Sequence, residues 1–128
     1  MISVEDWSAI LESLRAQLPR VSVFNGARLV STMRYGALHV DLSVSRRSMS
    51  AWVGWRASRG TVTALGMKSY NHQTAAQFYA NLGDAMQILT HREERWKRKI
   101  FHAGWGSPEE IAAAWGAYNS QTETGETK

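Results

Sequence analysis

The chain has no cysteine among its 128 residues. That excludes disulfide frameworks, thiolate metal sites and cysteine nucleophiles, and it makes a cytoplasmic setting the simpler expectation. No apolar run approaches the roughly 18 residues that a membrane span needs. The opening stretch MISVEDWSAILESLRAQL is interrupted by Glu5, Asp6, Glu12 and Arg15, so it lacks a signal-peptide core. Also missing are G-x-x-x-x-G-K-[ST] and G-x-G-x-x-G, the loops that cradle nucleotide phosphates. With no His-x-x-x-His and no carboxylate cluster at ligand spacing, neither a metal nor a cofactor is expected.

What remains is a basic, moderately apolar chain. Hydrophobic residues make up 44%, enough for one core at this length and too little chain for two ordinary domains. A single domain is expected over residues 1–119, with a disordered polar tail over 120–128, where SQTETGETK is too poor in apolar residues to order itself. The net charge of +4 is unevenly placed: residues 28–59 carry +5 and 91–102 carry +3, while 103–128 carry −3. Segregated positive charge favours an anionic partner, either nucleic acid or an acidic protein surface.

Hydrophobic periodicity sets the expected order of elements. Ser3 followed by Asp6 resembles a helix cap, and Trp7, Leu11, Leu14 and Leu18 then recur on one helical stripe that Pro19 ends. Asn25-Gly26 between VSVF and ARLV is a hairpin signal, because both residues tolerate a positive φ. Alternation in ALHVDLSV and SAWVGWRA, with a turn at Arg59-Gly60 before TVTALGM, extends this to a five-stranded antiparallel meander over roughly residues 20 to 67.

From about Gln73 the period lengthens to three or four, through Phe78, Leu82, Ala85, Met86, Leu89, Trp96 and Ile100. This predicts a long helix to about residue 102, with Gly83 and Glu93 as weak points. After the break AGWG, Ser107-Pro108-Glu109-Glu110 starts a short helix ending near Asn119. The fold class is therefore α+β: an N-terminal helix, the meander, then one long and one short C-terminal helix packed on one sheet face.

Two surfaces could carry function. In HREERWKRKIFH, the side chains His91, Arg92, Arg95, Arg98, Lys99 and His102 fall within about a third of the helical wheel, opposite the apolar stripe. Cations in such a row suit a phosphate backbone. The same face also reads as the wet side of a helix, with Glu93 to Lys97 and Glu94 to Arg98 as ordinary i, i+4 pairs.

On the meander, if Leu29, Met33, Leu38, Val40, Leu42, Val53 and Trp55 face the helices, the other face carries Arg28, Thr32, Arg34, His39, Asp41, Ser43, Trp52 and Arg56. Arginines beside a tryptophan suit single-stranded nucleic acid, with Trp52 as a stacking platform, and suit a protein partner equally. A plain wetted sheet face is the bland alternative. Trp7, Trp55, Trp96 and Trp115 occupy periodic apolar positions and are expected in the core.

Catalytic readings are weak. His91 and His102 lie about 16 Å apart along a helix. His39 and Asp41, roughly 7 Å apart on one strand face, are a candidate acid/base pair that reads more simply as surface polarity of a sheet. The order helix, strands, helix resembles double-stranded-RNA-binding domains, but the lysine-rich helix start of those domains is replaced by MKSYNHQTAAQF. Arg95 and His102 match the spacing of HEPN-type ribonucleases, with Trp96 where those carry a polar residue. Neither resemblance carries membership.

The sequence thus points to a non-enzymatic binding module for a polyanionic surface. Arg28, Arg34, Arg56, Arg92, Arg95, Arg98 and Lys99 are the expected phosphate contacts. The alternative is a small protein-binding regulator or inhibitor, immunity-like or anti-defence-like, that docks on another macromolecule and blocks it. Homodimerisation through the outer sheet face is a third expectation.

Overall fold

A computed structural model of the chain describes the backbone of residues 1–18, 20–24, 28–57 and 60–127, and the side chains of these up to 120 except 23 and 24. Helix α1 spans Val4–Gln17, and the Ser3 hydroxyl caps it by accepting the Asp6 N–H at 3.1 Å. Five strands follow: β1 (Val21–Phe24), β2 (Arg28–Tyr35), β3 (Leu38–Ser45), β4 (Ser48–Arg56) and β5 (Val62–Asn71). They form one antiparallel sheet in chain order, the expected meander. The expected turn at Asn25-Gly26 lies outside the described residues, as does Arg59.

Register explains why one sheet face is apolar. Leu29 pairs with Val44, Met33 with Val40, Leu38 with Trp55, and Val40 with Val53, so the alternating apolar residues stack on one side. All of them are buried. Near the end of β4 the register shifts: Val53 pairs with Gly66 and Gly54 with Ala64, leaving Leu65 as the extra residue of a bulge. A side chain at Gly66 would crowd the core there, since a Cβ would stand 3.0 Å from the Trp96 ring.

The helices cover that apolar face. Helix α2 (Ala75–Met86) starts with a reciprocal cap between Thr74 and Gln77. Helix α3 (Ile88–Ala103) follows after one joint residue, Gln87, and ends at Gly104 in the left-handed conformation with φ +72°. Helix α4 (Pro108–Thr127) opens with Ser107, whose hydroxyl accepts the Glu110 N–H at 3.1 Å while Glu110 accepts the Ser107 N–H at 3.3 Å. Its backbone runs past the end expected near Asn119.

The single long helix expected from 73 to 102 is two helices, and the joint is neither Gly83 nor Glu93. The two halves serve different parts of the core. Phe78 and Ala85 of α2 pack with α1 residues Trp7, Ile10 and Leu14 and with Leu42 and Met49 of the sheet. Leu89, Trp96 and Ile100 of α3 pack with Val53, Trp55, Ile111 and Trp115. At Gln87 the chain redirects one apolar stripe from the first cluster to the second.

Trp7, Trp55, Trp96 and Trp115 are buried, as expected. Trp55 stacks on Trp115 at 6.0 Å between ring centroids, and its Nε1–H donates to the Trp105 carbonyl at 3.0 Å. The AGWG break therefore closes over Trp55, with Gly106 against the indole where a Cβ would stand 2.8 Å from the ring. Among the described residues no helix is long and apolar enough to cross a membrane.

Candidate functional site

Burial of Leu89, Trp96 and Ile100 turns the opposite side of α3 outward. His91, Arg92, Arg95, Arg98, Lys99 and His102 are all exposed on that side, forming a ridge about 16 Å long at 1.5 Å per residue. The acidic residues of the helix do not neutralise it. Lys97 Nζ lies 2.7 Å from the Glu93 carboxylate and 3.6 Å from that of Glu94, so one lysine engages both. The pair expected between Glu94 and Arg98 does not form. Lys97 also approaches the Trp115 ring at 5.9 Å, and its hydrogen bond to Glu93 raises its pKa. Among the described residues, Arg92, Arg95, Arg98 and Lys99 make no ion pair.

The outer sheet face is assembled differently. Register places Arg34, His39, Gly54 and Ala64 in one row, Thr32, Asp41, Trp52 and Met67 in the next, and Val30, Ser43, Ser50 and Ser69 in a third. The arginines have neighbours here. Arg34 bonds to Asp41 at 3.0 Å, and the Arg28 Nε–H donates to Ser43 Oγ at 2.7 Å. Arg56 is exposed.

Trp52 is half-buried, and its six-membered ring fills the space over Gly54, where a Cβ would stand 2.2 Å from Cη2. Its cross-strand partner Met67 is 65% exposed, and Val62, opposite Arg56, 38%. Among the described residues α4 packs on the opposite face, with Ile111 and Trp115 against Val53 and Trp55. Next to this apolar strip, Arg28, Ser43, Ser45, Ser50 and Ser69 line a polar hollow of about 290 Å³.

His39 and Asp41 do not form a couple. Asp41 is engaged by Arg34, and His39 Nε2 is buried without a hydrogen-bond partner. Desolvation, with the nearby charges of Arg34 and Arg56, lowers the His39 pKa from its usual 6.5, and Asp41 opposes the shift.

The two surfaces face opposite ways, because α3 packs on the covered side of the sheet and its ridge points away from it. Arg28, Arg34, Trp52 and Arg56 thus lie on the sheet face away from the helices, and Arg92, Arg95, Arg98 and Lys99 on the side of α3 away from the core.

A third constellation escaped sequence reasoning. Lys68 and Tyr70 sit opposite Ala51 and Met49 and so point to the helix side of β5, at the sheet edge. Together with Asp84, Gln87, Ile88, His91 and Arg92 they line an open cleft of about 270 Å³. Lys68 Nζ lies 2.9 Å from Asp84 Oδ2, and the Tyr70 hydroxyl donates to the same oxygen at 2.7 Å. Those two bonds hold the Asp84 pKa low, while burial and then the bond to Asp84 push Tyr70 up to about 12. The available signal was the i, i+2 spacing of Lys68 and Tyr70, which acquires a partner only once the joint at Gln87 is known.

Among the described residues no group of three or more His, Asp or Glu side chains could hold a metal ion. Comparison with models of known protein families, with characterised proteins and with solved structures gives no match.

Proposed function

We propose that the protein is a cytoplasmic, non-enzymatic binding module that takes a nucleic-acid backbone along α3. Arg92, Arg95, Arg98 and Lys99 act as phosphate contacts, flanked by His91 and His102. The observation that carries this reading is the way Lys97 draws in both Glu93 and Glu94, leaving four exposed cations on one helical face. Guanidinium groups in that arrangement offer forked donors to phosphate and release counterions when it binds. Binding by labelled single- and double-stranded DNA and RNA, followed by anisotropy at ~50 mM and ~200 mM salt, tests it. Affinity that falls steeply between the two supports the reading; no binding at the lower salt removes it.

A second reading belongs to the outer sheet face. Arg28 and Arg34 are engaged by Ser43 and Asp41, while Trp52 and Met67 form an apolar strip among them. That mixture fits a protein partner better than phosphates, since tryptophan and arginine dominate binding hot spots. Under this reading the protein is a small regulator or inhibitor whose interface centres on Trp52. Loss of partner or self-association on Trp52→Ala, with little sensitivity to salt, would favour it.

A further inference from the structure

We propose that the cleft between β5 and the α2–α3 joint is a phosphomonoester subsite that takes the terminal phosphate of a strand lying along α3. The proposal rests on the reading of α3 as a backbone-binding ridge and adds what that ridge does at its end. Arg92 and His91 belong to both features, so a backbone followed from His102 to Arg92 runs directly into the cleft. Beyond them the track stops, because the chain turns at Gln87.

The lining is suited to a group with more charge than a diester. A phosphomonoester carries roughly −1.5 to −2 and three acceptor oxygens. Lys68 from the sheet and His91 and Arg92 from α3 supply donors from two directions.

Asp84 is the one carboxylate present, and its charge is met within the cleft. A single oxygen, Oδ2, accepts from both Lys68 and Tyr70. An ammonium group has three N–H donors, so Lys68 keeps two for a ligand while Asp84 holds it in place. Asp84 is therefore a positioning residue. The volume of about 270 Å³ admits a phosphate together with part of its sugar.

The test compares three single-stranded oligonucleotides of one sequence by anisotropy: 5′-phosphorylated, 3′-phosphorylated and hydroxyl-ended. One phosphorylated form should bind roughly tenfold more tightly than the hydroxyl-ended form, as one added charge-assisted contact implies. Lys68→Met should collapse that ratio toward one and Lys68→Arg should restore it. Arg98→Gln, at the far end of the ridge, should weaken all three and keep the ratio.

Equal affinity of all three forms overturns the subsite and leaves the ridge standing. If no oligonucleotide binds, an amide and side-chain NMR titration with phenyl phosphate decides. Saturable shifts at Lys68, His91 and Arg92 keep the subsite while the ridge reading falls, and their absence overturns both.

Discussion

The ridge of α3 and the outer face of the sheet both carry exposed arginines, yet the two surfaces are in different electrostatic states. On the sheet, each side chain has cross-strand neighbours, and Arg34 and Arg28 meet Asp41 and Ser43. On α3 the two carboxylates converge on Lys97, the cation nearest the core, and the outward-facing cations are left to solvent. Counting arginines would rank the surfaces as equals. Pairing separates Arg34 and Arg28 from the cations of α3, and an exposed cation lacking an intramolecular partner loses less when it binds a phosphate.

The largest expected effect comes from breaking the ridge. Arg95→Gln with Arg98→Gln should weaken oligonucleotide binding by about an order of magnitude or more at low salt, and leave thermal stability nearly unchanged because both side chains are exposed. The matching change on the sheet is Trp52→Ala. It should leave oligonucleotide affinity unaltered, cost about 1 kcal/mol of stability in a denaturant titration by uncovering Gly54, and remove any association through that face.

A smaller effect sharpens the contrast from the other side. Glu93→Gln with Glu94→Gln releases Lys97 and raises the charge of α3 by two, so oligonucleotide affinity should rise severalfold at low salt and the gain should shrink at high salt.

The smallest concerns His39. Its folded pKa lies below 6.5, so the unfolded chain binds the proton more readily. The stability contribution is whole above pH 6.5 and declines as the pH falls through 6.5 toward the folded value. In paired denaturant titrations, His39→Asn should flatten that part of the pH profile; an identical profile would mean that folding does not lower the His39 pKa.

Much of the fold was legible because each element carried a local signal with one physical cause. The Ser3 and Ser107 caps and the alternation of Leu38, Val40, Leu42 and Val44 each depend on residues close in sequence. The joint at Gln87 was not legible. The stripe through Phe78, Ala85, Leu89 and Trp96 is continuous in sequence, and only the division of the core into two clusters shows that its halves bury in different places.

The candidate site divides the same way. Periodicity placed His91 to His102 on one face, and alternation placed Arg28, Arg34, Trp52 and Arg56 on another. Which carboxylate would engage which cation was out of reach. Glu94 stands at helical spacing for both Lys97 and Arg98, and it is Lys97, near the Trp115 ring, that it approaches. The cleft of Lys68, Tyr70 and Asp84 needed both the strand register and the helix joint.

The most direct test of the ridge is the salt dependence of oligonucleotide binding, measured side by side for the wild type and the Arg95→Gln, Arg98→Gln double variant. A plot of log K against log salt should be linear and steep for the wild type. It should be shallower by about 1.4 for the variant on a single strand, two contacts at roughly 0.7 each. Equal slopes, or no binding by the wild type at low salt, would contradict the assignment of α3 as the phosphate-reading surface.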